Sequence, residues 1–526
     1  MTMALHSKRW LVLAIVSMAL LLIVVDMTVL YTALPTLTHD LAASTSMKLW
    51  IVNAYALVVA GLLLSTGALG DRLGYRRMFM LGLVIFGAAS LAAAYAPNAG
   101  LLIAARAVLG LGAAIMMPAT LAIIRMSFPD QRERSVAIGI WASVASGGAA
   151  LGPVVGGVLL EYFWWGSVFL VNVPIVALAL VLTVWLIPAD RLSTKASLAG
   201  WDYTSSLQAM VAMVSLVLGI KELAKPAPSL VFAVLMGLLS AAVLWVFIRR
   251  QLSRPQPLIE LRLFRIPTFS GGVVAAVVAA VALVGVELVF SQRLQLVLGL
   301  RPLQAGLAIL PIPVAAFVAG PIAGWALSRL GTHQLIVGGL LVTAVALCAL
   351  AMSLNSDAHG LQKITVLAFL GLGVGATITA ASNAVMNSAP PEHAGMAASV
   401  EEVSYEFGGV LGVALLGSVL SWRYTSSLVL PDSLQGAAGG ASGASDGIDA
   451  ALLAAEKLPP QAATQLLGLA HAAFDQGFVA VMATAVVLVL AAALAVALLR
   501  SGSPKRRSPS AKPAANAVPG VPGEGR

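Results

Sequence analysis

Fourteen separate apolar runs, each long enough to cross a bilayer, constrain this chain more than any other feature. They lie near residues 10–34, 50–70, 78–96, 100–124, 135–160, 166–187, 203–220, 229–248, 268–292, 303–328, 334–354, 361–386, 395–421 and 473–499. A hydrocarbon core about 30 Å thick takes roughly 20 residues of helix. Backbone in lipid must satisfy its own hydrogen bonds, so each run is predicted to be a helix. Only 10% of the 526 residues are charged, against about 25% in soluble domains. The predicted class is an all-α, multi-pass membrane protein. The first run has no small-residue cleavage site and reads as an uncleaved span rather than a signal peptide.

The net charge of +9 reflects topology. With an even number of spans the termini share a side. Of the 31 Lys and Arg, 22 then fall in segments on that side and eight on the other, with Arg106 inside a span. The positive-inside rule makes the richer side, and both termini, cytoplasmic. No basic face with interleaved aromatics stands clear of the membrane, so nucleic acid is not an expected partner. The single cysteine, Cys348, excludes an internal disulfide, and no metal site is expected.

An internal repeat organises the spans. Residues 67–77 read GALGDRLGYRR and residues 324–334 read GWALSRLGTHQ, matching at Gly67/Gly324, Arg72/Arg329, Leu73/Leu330 and Gly74/Gly331. The two copies close spans 2 and 10. If spans 7 and 8 are an insertion, both are second helices of six-helix halves. The expected plan is an N-terminal bundle over 1–187, an inserted helix pair with cytoplasmic linkers over 188–267, a C-terminal bundle over 268–499 that includes an outer loop at 422–472, and a disordered cytoplasmic tail at 500–526. Two such halves with a site between them near the midplane are a common transporter design. The second copy lacks the counterparts of Asp71, Arg76 and Arg77.

Gly67 to Arg77 resembles the signature between the second and third helices of the major facilitator superfamily. RAVLGLGAA, Arg106 to Ala114, is similar to its second motif, with Leu109 where the family usually has Gln. Gly148 to Gly157 resembles the motif shared by its antiporters. LLIVVDMTVLYTALP in span 1 and WWGSVFLVNVP at 164–174 resemble the fourteen-span drug/proton antiporter branch. VEEVSYEFG is similar to the acidic span-13 segment of exporters of quaternary ammonium compounds and methyl viologen. The resemblance runs from about 10 to 499 and implies a major facilitator fold with two inserted helices. It implies a multidrug exporter in the bacterial inner membrane that exchanges lipophilic organic cations, including biguanide-type antiseptics, for protons, conferring antibiotic resistance. A transporter of an endogenous small metabolite is the alternative. Protons are the coupling ion and no cofactor is expected; the partners are the substrate cations and the lipid, and the chain is expected to act as a monomer.

Charges inside the spans supply the candidate site. An ion in hydrocarbon is costly unless it meets a partner or water. Asp26 lies about 12 Å below the outer end of span 1 and Arg106 about 8–9 Å below that of span 4, depths that permit a pair. Glu401 and Glu402 lie about 9–11 Å, and Glu406 about 16 Å, from the cytoplasmic end of span 13. Glu402 and Glu406 share a helix face, whereas Glu401 is turned about 100° away. Carboxylates crowded where the dielectric is low hold protons more readily than in water. Tyr31, Tyr55, Trp141 and Tyr405 are candidate faces for cation–π contact. Glu287, with Arg293 following, reads as an interfacial group. Asn53 stands where the family carries an acid in span 2, and span 10 has none.

The remaining motifs are mechanical. Asp71, with Arg72, Gly74 and Arg76, is expected to form a latch. By the resemblance, Asp71 approaches the N-terminus of span 13, where the helix dipole favours a carboxylate. Gly148, Gly152, Gly156 and Gly157 allow close helix approach, and Pro153 invites a bend; the family reading adds that this bend prevents proton leak. In the outer loop, IDAALLAAEKL and AATQLLGLAHAAF read as two short helices split by Pro459-Pro460, placed as a hairpin over the external mouth. No nucleotide, protease or hydrolase motif occurs, and all six histidines fall in predicted loops or tails. The chain is therefore not read as an enzyme.

Overall fold

A computed structural model describes residues 2–41, 43, 45–188, 202–223, 229–254, 257–353, 360–431 and 444–501. The expected tail beyond 501, most of the 188–201 linker and residues 432–443 of the outer loop lie outside the described residues. The long helices are α1 (Thr2–Asp40), α2 (Thr45–Leu73), α3 (Tyr75–Ala94), α4 (Ala99–Ser127), α5 (Gln131–Tyr162), α6 (Asn172–Leu186), α7 (Tyr203–Leu223), α8 (Leu230–Ser253), α9 (Pro267–Gln292), α10 (Pro311–Leu330), α11 (Thr332–Met352), α12 (Gly360–Ser388), α13 (Ala394–Ser427) and α14 (Pro460–Ser501). Among the described residues, thirteen stretches are long and apolar enough to span a bilayer. The 32-residue α5 is not in that set but occupies the place of the fifth apolar run. The protein is an all-helical, multi-pass membrane protein.

Local chemistry sets the helix ends. Asn98 and Asp130 cap α4 and α5, their side chains accepting from the N–H of Leu101 and Glu133, which satisfies donors the helix leaves open. Gly74 and Gly331, matched in the repeat, both turn with positive φ (96° and 80°), a conformation that favours glycine. The tenth apolar run is broken: Pro302–Ile309 forms a short helix of its own before α10 starts at Pro311. The second outer-loop segment is not a separate helix. Pro460 opens α14, proline being suited to a helix start, and no further proline interrupts the chain from there to Ser501. His471 therefore sits within α14, and His6 and His39 lie in α1 and His333 in α11 rather than in loops or tails. The first segment is a helix, Ile448–Ala455. It packs on α14, while Tyr424 and Thr425 of α13 donate to the carbonyls of Ala444 and Ser445. This segment is thus tied to the tops of α13 and α14.

Two apolar cores form, one mainly from α1–α6 and one from α9–α14. The first continues into Ala394, Met396–Ala398 and Val400 of α13. The halves are therefore fused at the end where Asp71, Arg125 and Arg329 lie, hereafter the basic end. There α2 and α13 approach so closely that a Cβ on Gly67 would strike Ser399 and the Gly395 backbone. Gly139 and Gly320 bring α5 and α10 together in the same way, as Ser135 and Gly324 do one turn nearer that end.

The pair α7–α8 packs on α2 and α13, with Met210 and Val214 against Gly61. In the apolar stretch of α8 17% of the residues are buried and in that of α4 83%, which puts α8 at the rim and α4 at the centre. At the basic end Asp202 accepts from Arg250 at 2.8 Å and meets Arg254 at 3.4 Å. The hydrogen bond from Arg250 holds its carboxyl well below the usual carboxylate range.

Candidate transport site

Asp26 and Arg106 are both fully buried, and a guanidinium NH1 donates to Asp26 Oδ2 at 2.6 Å. Asn172 of α6 donates to Asp26 Oδ1 at 3.0 Å and reaches Ser90 Oγ of α3 at 3.2 Å. Arg106 Nε donates to the Ile51 carbonyl at 3.3 Å, and its guanidinium lies 4.6 Å from the Tyr55 ring centroid. Both carboxylate oxygens are thus engaged, which makes a buried pair tolerable, and loss of either partner costs about 3–5 kcal/mol.

On α13, Gly395, Ser399, Glu402 and Glu406 fall at i, i+4, i+7 and i+11 and form one stripe. Its lower members meet α2: Gly395 against Gly67, and Ser399 donating to the Leu63 carbonyl at 2.7 Å. Glu402 and Glu406 continue that stripe above the point of closure. Glu402 is buried, with one oxygen lacking a hydrogen-bond partner among the described residues. Glu406 is half-buried and lies within electrostatic range of Tyr55, which also faces Asp26 and Arg106. Tyr55 thus packs on the ion pair of one half, with Glu406 of the other half within electrostatic range.

Glu401 points elsewhere. It is buried inside the second half, where Ser382 of α12 donates to it, and Ser382 Oγ lies 3.2 Å from the Tyr405 hydroxyl. Three of the four aromatic candidates are already engaged. The Tyr55 ring is covered by Arg106, the buried Trp141 donates its indole N–H to Thr120 at 3.1 Å, and the Tyr405 hydroxyl joins the Ser382 group. A substrate cation could use the Tyr55 face only by displacing the guanidinium. The Tyr31 and Pro153 side chains lie outside the described residues.

At the basic end Asp71 accepts from the N–H of Gly395 at 2.8 Å and of Met396 at 3.1 Å, and the Tyr75 hydroxyl also donates to it. The carboxylate thus sits on the first turn of α13, where unpaired N–H groups and the dipole favour an anion. Arg76 donates to the Val184 carbonyl of α6 at 3.0 Å, away from that contact. Arg72 lines a cavity of about 370 Å³ with Asp71, Asp202, Glu260 and His393. Arg125 bridges the halves by donating to the Ala389 carbonyl.

The glycines of α5 divide into two groups. Gly148 packs on Leu21 and Val24, and Gly152 on Thr28 and Val29, joining α5 to α1. Gly156 is buried. A Cβ on Gly157 would meet nothing within 4 Å.

Ser90, Thr120, Asn172, Ser382 and Ser399 escape the sequence reading. Each is a polar residue within an apolar run, which is the signal they offer; their partners lie on other helices.

Residues 16–413 match the Major Facilitator Superfamily. The methyl viologen resistance protein SmvA of Salmonella typhimurium is 41% identical over 89% of this chain and 93% of its own. The multidrug efflux pump LfrA of Mycolicibacterium smegmatis is 40% identical over 93% and 96%. In fold, the human organic anion transporter MFSD10 superposes with a TM-score of 0.61 at 15% identity, covering 93% of this chain and 99% of its own. The proton:xylose symporter XylE gives 0.56 at 14%, covering 80% and 91%. With buried ions in both halves and two bundles joined at one end, the chain belongs to the Major Facilitator Superfamily, in the branch that includes SmvA and LfrA.

Proposed function

We propose that the chain is a proton-driven exporter of lipophilic organic cations, quaternary ammonium compounds and dyes among them, set in the bacterial inner membrane with both termini cytoplasmic. The observation that carries this reading is the stripe of Glu402 and Glu406 on α13. It continues the face that meets α2, and Glu402 is buried with an oxygen open for a proton or a cation. A cation entering there competes with protons for the same oxygens, which is the coupling an exchanger requires. The names of SmvA and LfrA support drug efflux, and methyl viologen is itself an organic cation.

The other groups take mechanical roles. Asp71 holds the basic end shut by capping α13. Protonation or cation binding on α13 alters the charge a few turns away and loosens that cap. Asp26, Arg106 and Tyr55 pass the change to the first half. Gly148 and Gly152 keep α5 against α1 as the halves rock. The test is ethidium efflux from energised vesicles with and without an uncoupler. Wild-type efflux should stop with the uncoupler, and Glu406→Gln should bind ethidium without dissipating the pH gradient. Efflux that ignores the uncoupler rules out proton coupling.

A further inference from the structure

Glu287 takes no part in the arrangement above. It lies in α9, half-buried, with no hydrogen bond or ion pair to any described residue. The sequence suggested an interfacial acid followed by Arg293. In the structure Arg293 is taken by Asp475 of α14 (Nε to Oδ1 2.7 Å, NH2 to Oδ2 3.2 Å) and stacks over Phe478. A lone carboxylate within a membrane span calls for a partner or a wet cavity.

Its direction follows from the packing of α9. Gly271 and Arg293 mark the face toward α14, whereas Val277, Ala280, Val281 and Gly285 meet Gly408 and Gly412 of α13. At about 100° per residue, Glu287 stands almost over Ala280 and about 120–160° round from Gly271 and Arg293. It lies at the edge of the α13 contact, on the side of Ser291 and of Val284, which reaches Gly409 of α13 and is still 38% exposed. Directly above, α9 ends in a π-helical turn, Arg293–Val297, where Gln295 donates to Ser291 at 3.0 Å. Such turns recur at functional sites.

Its height can also be read. Gly408 packs at the level of Val277 and Ala280, and Gly412 at that of Val281 and Gly285. Glu406 is then level with residues near 276, and Glu287 stands about 15 Å further from the basic end.

We infer that Glu287 is a second carboxylate subsite on the outward path, and that it selects elongated bis-cations by holding the distal charge while Glu402 and Glu406 hold the proximal one. The inference rests on the reading of the α13 stripe as a cation site. Two linked charges meeting two separated carboxylates gain from effective concentration, provided the linker spans the gap. A short dication or a monocation cannot reach both.

The test compares ethidium, decamethonium and the ethylene-bridged bis(trimethylammonium) in proteoliposomes, reading proton counterflow against substrate concentration. Glu287→Gln should raise the apparent KM for decamethonium on the order of tenfold and leave the other two within about twofold. Glu287→Asp, which keeps the charge, should retain the preference and serves as the folding control. Moving the carboxylate one turn outward in Glu287→Gln/Ser291→Glu should shift the preference to a longer chain. Equal changes for all three cations, or none for any, overturn the inference, and ethidium exchange by the wild type then still supports the functional reading. Wild-type protein that moves none of the three refutes the functional reading itself, and this one with it.

Discussion

Replacing Asp71 with asparagine tests the closure of the basic end. In the native protein one carboxylate accepts two backbone N–H groups of α13 at 2.8 and 3.1 Å. Asparagine offers one acceptor oxygen, points an amide toward the second N–H, and carries no charge. Loss of one hydrogen bond to a charged group is worth about 1.5–3 kcal/mol. Loss of the dipole interaction adds about 0.3–1 kcal/mol. The combined bias of about 2–4 kcal/mol is a roughly 30- to 700-fold shift against the closed basic end. Spin labels at Gln131 on α5 and Ser328 on α10, one on each half at that end, report it as a distance distribution. Wild type should give a dominant short distance and Asp71→Asn a major longer one. An unchanged distribution in the variant would refute the latch, and normal efflux by it would remove any role in transport.

Three further outcomes follow from the geometry. Asp26→Leu and Arg106→Met should each destabilise by about 3–5 kcal/mol, whereas the double variant recovers most of that loss, because the single changes strand a buried ion; a cycle of reversible unfolding in mixed micelles measures the coupling, and additive losses contradict it. Gly152→Val should block close packing of α1 on α5 through a clash at Thr28, while Gly157→Ala, with open space around it, should leave expression and thermal stability unchanged. Asp202 has its carboxyl lowered by Arg250, so the stability it lends the contact between the start of α7 and the end of α8 is present above the ordinary carboxylate range and is lost as pH falls below it; acid-induced proteolysis near 202 should start at higher pH in Asp202→Asn, and identical onset would contradict the pairing.

The sequence made depth legible and left rotation hidden. Counting residues from span ends put Asp26 and Arg106 at similar levels, and the two are in contact, because rise per residue is constant in any helix. The turn glycines of the repeat were likewise readable, since Gly74 and Gly331 satisfy a backbone demand that is local. Glu401 shows the limit. Its position in a helix was plain, but its burial against Ser382 depends on how α12 packs on α13, which no local period encodes. The same holds for Asn172 beneath Asp26 and for Arg125 reaching Ala389 across the halves. The fusion of the second outer segment with α14 is hidden for another reason: the split at Pro459-Pro460 does separate two helices, but the mixed polar stretch after Pro460 continues without a turn into the apolar run that starts near 473.

The most direct measurement is proton release from purified, weakly buffered protein on addition of tetraphenylphosphonium. If cations and protons compete for the Glu402 and Glu406 carboxylates, wild type acidifies the medium as the cation binds, and the Glu402→Gln/Glu406→Gln variant releases none. Saturable binding with no change in pH, or the same release from that variant, would contradict the account.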